Sequence, residues 1–156
     1  MKYLLAVGSN LHPKVNVRWV LSRMKYSFDY VKVGCFYRSQ PRGMKSGNSF
    51  WNGAVMVESG MDVVGLKECL CLWETETGRD RKHPKCALRD RTLDLDIVWN
   101  ERDGWLESID TIMQNSYLYM PLSSLVFLLP IRKGTLKPIY FSFQGRLLGG
   151  RAVSLK

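Results

Sequence analysis

The period of hydrophobic and polar positions changes several times along the chain, and each period predicts an element. Lys2 to Val7 is a short apolar run that predicts a buried strand ending at the turn cluster Gly8-Ser9-Asn10. A helix is predicted from Pro13 onward, because apolar residues then recur at the spacing of one helical face. The residues on that face are Val17, Val20, Leu21 and Met24.

The next part of the chain predicts two strands and a second helix. Tyr30 to Ser39 and Phe50 to Glu58 have the composition of strands, and about ten residues rich in Gly, Pro and basic groups separate them. Asp62 is the predicted N-cap of the second helix, and Gly78 is its predicted end. The predicted buried stripe of this helix consists of Val63, Leu66, Leu70 and Trp73.

A fourth strand is predicted where RDRTLDLDIVW, residues 89 to 99, alternates polar and apolar positions. The order strand, helix, strand, strand, helix, strand (βαββαβ) is the split βαβ pattern of ferredoxin-like α+β domains. Such a sheet packs helices on one face and can leave the other face open for a ligand.

Beyond Asn100 the pattern is weaker and predicts only a small C-terminal extension. Pro121 to Leu129 is apolar, and two short segments, Ile139 to Phe143 and Arg146 to Leu148, surround Gln144-Gly145 in a predicted hairpin. The 156 residues fit a single domain, residues 1–156.

Charge and composition narrow the class of protein. With 23 Lys and Arg against 14 Asp and Glu, the net charge of +9 predicts either an anionic partner or simply a charged surface. The sequence has no signal peptide pattern and no long apolar run, so the expected location is cytoplasmic, without a membrane partner. The four cysteines form no C-x-x-C pair and are interpreted as reduced thiols, with Cys35 on a strand and Cys69 and Cys71 on a helix.

Two carboxylates on one strand face are the first candidate chemistry. Asp94 and Asp96 lie at i and i+2, so their side chains are roughly 7 Å apart along the strand. Oxygen ligands at this spacing suit Mg²⁺, although an ordinary solvent-facing strand would show the same pattern. A basic segment immediately upstream favours a phosphate site, because cations and a metal together stabilise a triphosphate. Its cations are Arg79, Arg81, Lys82, Lys85, Arg89 and Arg91.

Phe50 and Asn52 are the second candidate. They point the same way on a strand, and an aromatic face beside an amide suits a flat heteroaromatic ring. The alternative is a core aromatic residue and an asparagine at a turn.

Five segments together resemble one family, hydroxymethyl-dihydropterin pyrophosphokinase. They are AVGSNL (6–11), FYRSQPRG (36–43), FWNGAV (50–55), WETETGRDR (73–81) and RTLDLDI (91–97). The resemblance implies a ferredoxin-like fold and Mg²⁺-dependent transfer of pyrophosphate from ATP to a hydroxymethyl pterin in folate biosynthesis. It further implies small-molecule substrates, no nucleic-acid partner and a monomer.

The resemblance also implies the roles of individual residues. Asp94 and Asp96 would hold two Mg²⁺ ions, while Arg79 and Arg91 would act on the transferred group as catalytic residues. The implied pterin contacts are Ser39, Gln40, Arg42, Phe50, Asn52 and Tyr117. The implied nucleotide contacts are Glu74, Arg81, Arg91 and Ile97.

The sequence departs from the family pattern at three places, so a second hypothesis stays open. Leu88-Arg89-Asp90 stands where the family usually has Trp-Gly-Pro, and Gln40 replaces a usual proline. The family's Pro-His motif and a later arginine have no counterpart between about residues 105 and 116, where Asn115 takes the arginine position. The alternative is therefore a divergent homologue that binds a pterin or nucleotide without catalysis or with altered specificity. A third hypothesis, an RNA-binding ferredoxin-like domain, is disfavoured because paired carboxylates on the sheet would repel a phosphate backbone.

Overall fold

The structure, a computed structural model, describes residues 1–106, 108–126 and 136–156. The strands are β1 (Lys2–Ser9), β2 (Tyr30–Val33), β3 (Phe36–Ser39), β4 (Phe50–Glu58), β5 (Asp94–Asn100), β6 (Gly104–Trp105), β7 (Lys137–Ile139), β8 (Phe141–Phe143), β9 (Arg146–Leu148) and β10 (Val153–Ser154). The helices are α1 (Pro13–Ser27), α2 (Val63–Glu76), α3 (Ile109–Gln114) and α4 (Ser116–Ser123), and Cys86–Leu88 forms one 3₁₀ turn.

The sheet has the topology expected of a ferredoxin-like α+β fold. Its order is β10-β2-β4-β1-β5-β6, with β3 pairing with β4 and β7 pairing with β3. The central strand β1 is antiparallel to both β4 and β5. The predicted fold class is therefore confirmed, and three long strands meet side by side at the ends where β1 finishes and β5 begins.

Each face of the sheet carries its own apolar cluster. The larger cluster lies under α1 and α2 and includes Leu5, Leu66 and Leu95. The smaller cluster lies on the opposite face and includes Leu4, Val98 and the α4 residue Leu122. A sheet of this kind can leave its second face open, but here α3 and α4 cover one end of that face with apolar residues of their own. In the described part of the chain, the other end of the face is open to a ligand.

Both predicted helices form as expected. The four predicted apolar residues of α1 are fully buried. Asp62 caps α2 by accepting a hydrogen bond from the Gly65 amide at 2.8 Å, and Gly78 follows the helix with a φ of +92°. β1 continues two residues past its predicted end, through Gly8 and Ser9, because both residues pair with β4.

The predicted strand Tyr30–Ser39 is interrupted at Gly34 and Cys35, which is a correction. The Ser124 hydroxyl accepts the Cys35 amide at 2.8 Å, and the Gly34 amide bonds to the Ala54 carbonyl. Cys35 therefore lies between two strands, whereas Cys69 and Cys71 lie on α2 as predicted. All four cysteines are free thiols.

The C-terminal hairpin is confirmed, with Gln144 and Gly145 both at positive φ in its turn. Its first strand is shorter than predicted, because Ile139 belongs to β7 and pairs with Phe36 instead. The apolar stretch Pro121–Leu129 is helical in α4 up to Ser123, and residues 127–135 lie outside the described part of the chain.

Within residues 1–106, 108–126 and 136–156, none of the helices has both the length and the apolar character needed to cross a membrane.

Candidate active site

The uncovered end of the second sheet face brings together residues from three adjacent strands. Gly8 of β1 is paired with Asn52 of β4 on one side and with Asp94 of β5 on the other. A Cβ atom on Gly8 would stand 3.4 Å from the Asn52 Oδ1 atom and 3.5 Å from the Asp94 Cβ atom. Gly8 therefore leaves a space without a side chain between the Asn52 amide and the Asp94 carboxylate.

A pocket of about 160 Å³, called here the aromatic pocket, lies on the Asn52 side of Gly8. Its lining consists of Ser39, Gln40, Arg42, Met44, Phe50, Asn52, Arg91, Asp94 and Tyr117. The Asn52 amide donates to the Ser39 hydroxyl at 2.8 Å, and the Arg42 guanidinium lies 5.8 Å from the centre of the Tyr117 ring. The pocket thus combines two aromatic rings with hydrogen-bonding groups, as a flat heteroaromatic ligand requires.

A second pocket of about 200 Å³, the carboxylate pocket, adjoins the first. Asp94 and Asp96 both line it, together with the apolar side chains of Val98 and Leu118. The two pockets share Asn52, Arg91, Asp94 and Tyr117. They form one groove, so a group bound in the aromatic pocket reaches the carboxylates directly.

Two arginines hold the Asp94 carboxylate between them. Arg79 donates to one carboxylate oxygen and Arg91 donates to the other. Burial alone would raise the pKa of Asp94, but the two guanidinium groups outweigh it and hold this pKa below its usual value. Asp94 is therefore an anion at neutral pH, and both arginines are anchored at the groove.

The buried Glu74 of α2 pairs with Arg79 and with a further arginine, Arg81. Its carboxylate is completely buried and accepts the Arg79 guanidinium at 2.9 Å and the Leu95 backbone amide at 2.7 Å. It also accepts the Arg81 Nε–H, and this hydrogen bond raises the pKa of Arg81. Glu74 therefore ties the end of α2 to the start of β5 and orients both arginines.

The Asp96 carboxylate is paired with a lysine from α2. The Lys67 ammonium lies 2.9 Å from the Asp96 Oδ1 atom, and both side chains are substantially exposed. Among the described residues, no group of three or more His, Cys, Asp or Glu side chains could enclose a metal. Two carboxylates without a protein cage fit Mg²⁺, which usually binds to one or two carboxylates together with substrate phosphates.

Arg91 is fixed by its backbone as well as by its side chain. The buried Asn10 side chain accepts the Arg91 amide at 2.6 Å, and the Arg91 carbonyl accepts the amides of Asn10 and Leu11 at 3.0 and 3.1 Å. The preceding residue, Asp90, accepts the side-chain amides of Asn10 and Asn48, each at 2.6 Å. Three loops therefore meet beside Arg91.

Most of the residues proposed from sequence meet in this groove. All six implied pterin contacts line the aromatic pocket, and Arg91 and Asp94 line both pockets. Ile97 packs against the larger core on the opposite sheet face, and Glu74 is buried beneath the groove rather than in its wall. Arg81 contacts Glu74 and does not line either pocket.

Sequence reasoning missed four residues that shape the groove: Gly8, Asn10, Lys67 and Asp90. Gly8 and Asn10 belong to the turn cluster after the first apolar run, and this cluster was the available signal. Nothing in the sequence pattern indicates that Lys67, from another element, reaches Asp96.

The region expected to contain the missing nucleotide motifs forms α3 and α4. Asn115, at the position of the family's arginine, donates its side-chain amide to the Thr111 carbonyl at 3.0 Å. Its own carbonyl accepts the backbone amides of Leu118 and Tyr119 in the first turn of α4. Asn115 thus connects the two helices.

One protein family matches most of the chain. The family profile described as 7,8-dihydro-6-hydroxymethylpterin-pyrophosphokinase matches residues 4–127, which include every residue of the groove. A search of curated proteins gave no match.

Proposed function

Since the chain belongs to the 7,8-dihydro-6-hydroxymethylpterin pyrophosphokinase family, we propose that it transfers pyrophosphate from ATP to the hydroxymethyl group of 6-hydroxymethyl-7,8-dihydropterin. The family acts in folate biosynthesis and generally uses ATP and Mg²⁺. The observation that carries the proposal is the continuity of the two pockets through Asn52, Arg91, Asp94 and Tyr117.

In this proposal the aromatic pocket binds the pterin. The rings of Phe50 and Tyr117 offer stacking surfaces, and Asn52 and Ser39 offer hydrogen bonds to the ring edge. Gln40 and Arg42 border the same pocket from the loop between β3 and β4. The hydroxymethyl oxygen would then face the shared part of the groove.

The carboxylate pocket would receive the triphosphate. The pterin oxygen forms a bond to the β-phosphorus, the bond between the β-phosphorus and the α,β-bridging oxygen breaks, AMP leaves, and the pterin hydroxyl loses its proton. In this proposal Arg91, which lines both pockets, and Arg79, which donates to Asp94 from outside their lining, stabilise negative charge on the transferred and leaving groups. Asp94 and Asp96 would hold Mg²⁺, which neutralises phosphate charge and aligns the reacting groups when bound.

The proposal also includes features that are supported by the sequence and by the family resemblance. These are the binding of two metal ions, the nucleotide contacts of Glu74, Arg81 and Ile97, the action of residues 1–156 as one monomeric domain, and a cytoplasmic location.

An AMP-release assay tests the proposal. Purified protein with Mg²⁺, ATP and the hydroxymethyl pterin should release AMP, and release should require the pterin. Asp96→Ala should nearly eliminate turnover, and Arg91→Ala should reduce it by about 10²- to 10³-fold, as expected for the loss of one charge-stabilising group. No AMP release under conditions in which another family member is active would contradict the proposal.

The competing hypothesis is a noncatalytic binding module. It is favoured by Asn115, which takes the place of a family arginine and bonds to Thr111 instead. Calorimetry separates the two hypotheses: pterin binding without any binding of Mg-ATP would support the module.

A further inference from the structure

Asp90 joins two loops that form different walls of the groove. The segment between β3 and β4, residues 40–49 and called here the 40–49 loop, carries Gln40, Arg42 and Met44 of the aromatic pocket. Asp90 lies in the basic segment immediately before Arg91. One oxygen of its carboxylate accepts the Asn10 side-chain amide and the other accepts that of Asn48 in the 40–49 loop, both at 2.6 Å.

Hydrogen bonds to the 40–49 loop converge on this carboxylate. Asn48 donates to Asp90, the Ser46 hydroxyl lies close enough to lower the pKa of Asp90, and the Asn10 amide reaches the Asn48 carbonyl at 3.4 Å. In the part of the chain that the structure describes, the hydrogen bonds between the loop and the rest of the protein end on Asp90 or Asn10. Arg42 adds only its contact with the Tyr117 ring.

Asn10, which Asp90 connects to the 40–49 loop, is buried and hydrogen-bonded on its other side. Asn10 is 3% exposed, and its side-chain oxygen is occupied by the Arg91 amide. Because that oxygen is fixed, the Asn10 NH₂ group faces residue 90, and the Asp90 carboxylate is its shorter-range acceptor. Burial raises the pKa of Asp90, but hydrogen bonds from Ser46, Asn48 and Asn10 outweigh it and lower this pKa overall, which keeps the carboxylate ionised.

We propose that Asp90 is a positioning residue that fastens the 40–49 loop to Asn10 and Arg91, and thereby holds the loop's wall of the aromatic pocket beside the reactive end of the groove. The link connects two loops through the two oxygens of one carboxylate. Its effect on pterin binding depends on the proposed function, whereas its effect on the loop does not.

Exchanging the two partners gives the sharpest test. Asn48→Asp alone places two carboxylates against each other and should open the loop. Asp90→Asn combined with Asn48→Asp keeps the net charge and reverses the bond. In this double variant the new amide at position 90 donates to the new carboxylate at position 48, while the amide oxygen accepts from Asn10. Asp90→Ala removes both bonds.

The first measurement uses no substrate. Trypsin can cleave the 40–49 loop after Arg42 and Lys45, and the rate at these two sites, followed by mass spectrometry, reports loop opening. Asp90→Ala and Asn48→Asp should each increase this rate about tenfold, since a hydrogen bond to a charged group is lost. The exchanged double variant should return to within about threefold of the wild-type rate.

The second measurement is steady-state kinetics. Asp90→Ala should raise the KM for the pterin about tenfold, while the KM for ATP and kcat should change by less than about threefold. Asp80→Ala is the control, because it removes the same charge from the same segment without touching the 40–49 loop. Its carboxylate bonds to the backbone of its own turn at Lys82 and His83 and forms a long, exposed ion pair with Arg89.

Several results would overturn the proposal. Wild-type cleavage rates in both Asp90→Ala and Asn48→Asp would show that Asp90 does not hold the loop. An exchanged variant no better than Asn48→Asp would show that the pairing is not the cause. If Asp90→Ala does not fold, the Asn48 variants still decide, since Asn48 is exposed. Loop opening in a protein that releases no AMP would support the link and contradict the proposed function.

Discussion

Single residues decide what the groove can accommodate, and Gly8 is the clearest case. It lies between Asn52 and Asp94, and it is the point at which the aromatic pocket passes into the carboxylate pocket. Any side chain here would project between an amide and a carboxylate that a bound substrate must contact together. The absence of a side chain at position 8 therefore keeps the groove continuous.

Gly8→Ala should leave the fold intact and reduce pterin turnover by about 10- to 100-fold. The added Cβ meets protein atoms at 3.4 and 3.5 Å, which are ordinary contact distances. Restricting an extended strand residue can even add roughly 0.4–1 kcal/mol of stability. AMP release and thermal unfolding are measured on the same preparation. Gly60→Ala is the matched control, because a Cβ there meets nothing within 4 Å; equal activity in both variants would mean that no ligand lies over Gly8.

Cations of the protein itself already contact the carboxylates of Asp94 and Asp96, and a bound metal ion would compete with them. Arg79 and Arg91 occupy both oxygens of Asp94, and Lys67 occupies one oxygen of Asp96. A metal that binds to the Asp96 carboxylate lies beside the Lys67 ammonium, so the two cations compete for the same negative charge. Exposed ion pairs of this kind are worth about 0.2–1 kcal/mol, so the competition is weak but measurable.

Lys67→Met should strengthen Mn²⁺ binding to the free protein by about 1.5- to 5-fold, which is the same range expressed as a binding constant. Mn²⁺ is counted by electron paramagnetic resonance without nucleotide or pterin. Lys25→Met is the control for net charge, because the Lys25 ammonium bonds to Gln144 on the far hairpin. Weaker or unchanged Mn²⁺ binding in Lys67→Met, relative to Lys25→Met, would rule out the competition.

At the scale of elements, the segments with strong periodicity were predictable and those fixed by distant contacts were not. The buried face of α1 and the Asp62 cap follow from local spacing and local hydrogen bonds. The interruption of the strand at Gly34 depends on Ser124, which is distant in sequence, so no local pattern indicates it. In the groove, Phe50, Asn52 and Asp94 belong to motifs that the sequence shows. Lys67 and Asp90 contact partners on other elements, which no local pattern indicates.

Gly34→Ala should destabilise the protein by about 2–4 kcal/mol, in the upper range for single substitutions. A Cβ atom there would stand 2.4 Å from the Ser124 Oγ atom and 2.9 Å from the Leu125 Cγ atom, so the end of α4 would have to move away from the sheet. Urea unfolding measures the change. Ser124→Ala in the same background removes the closest atom and should recover part of the loss; an unchanged midpoint in Gly34→Ala would show that α4 is not docked at this position.

At the scale of the whole molecule, a strongly basic chain concentrates its buried acidic groups around one end of the sheet. Glu74 is completely buried, and Asp94 is mostly buried against Arg79 and Arg91. These ion pairs connect α2, the basic segment and β5, so the same charges that shape the groove also join distant parts of the chain. The stability of the fold should therefore depend on the ionisation of the site.

The acid dependence of stability tests this connection, and its sign follows from the direction of the pKa shifts. The pKa values of Asp90 and Asp94 are lowered in the folded protein, so the unfolded chain binds protons more readily below about pH 4. Stability from these groups is complete above that pH and is lost as the pH falls through the folded-state pKa values. The free energy of unfolding, measured by urea titration between pH 6 and pH 3, should decrease more steeply for the wild type than for Asp94→Asn.

The amide introduced by Asp94→Asn can neither titrate nor balance the two arginines, so this variant should be less stable at pH 6 and less sensitive to acid. Asp29→Asn, at an exposed position before β2, should retain the steep decrease; parallel curves for all three proteins would show that the Asp94 ion pairs do not contribute to folding.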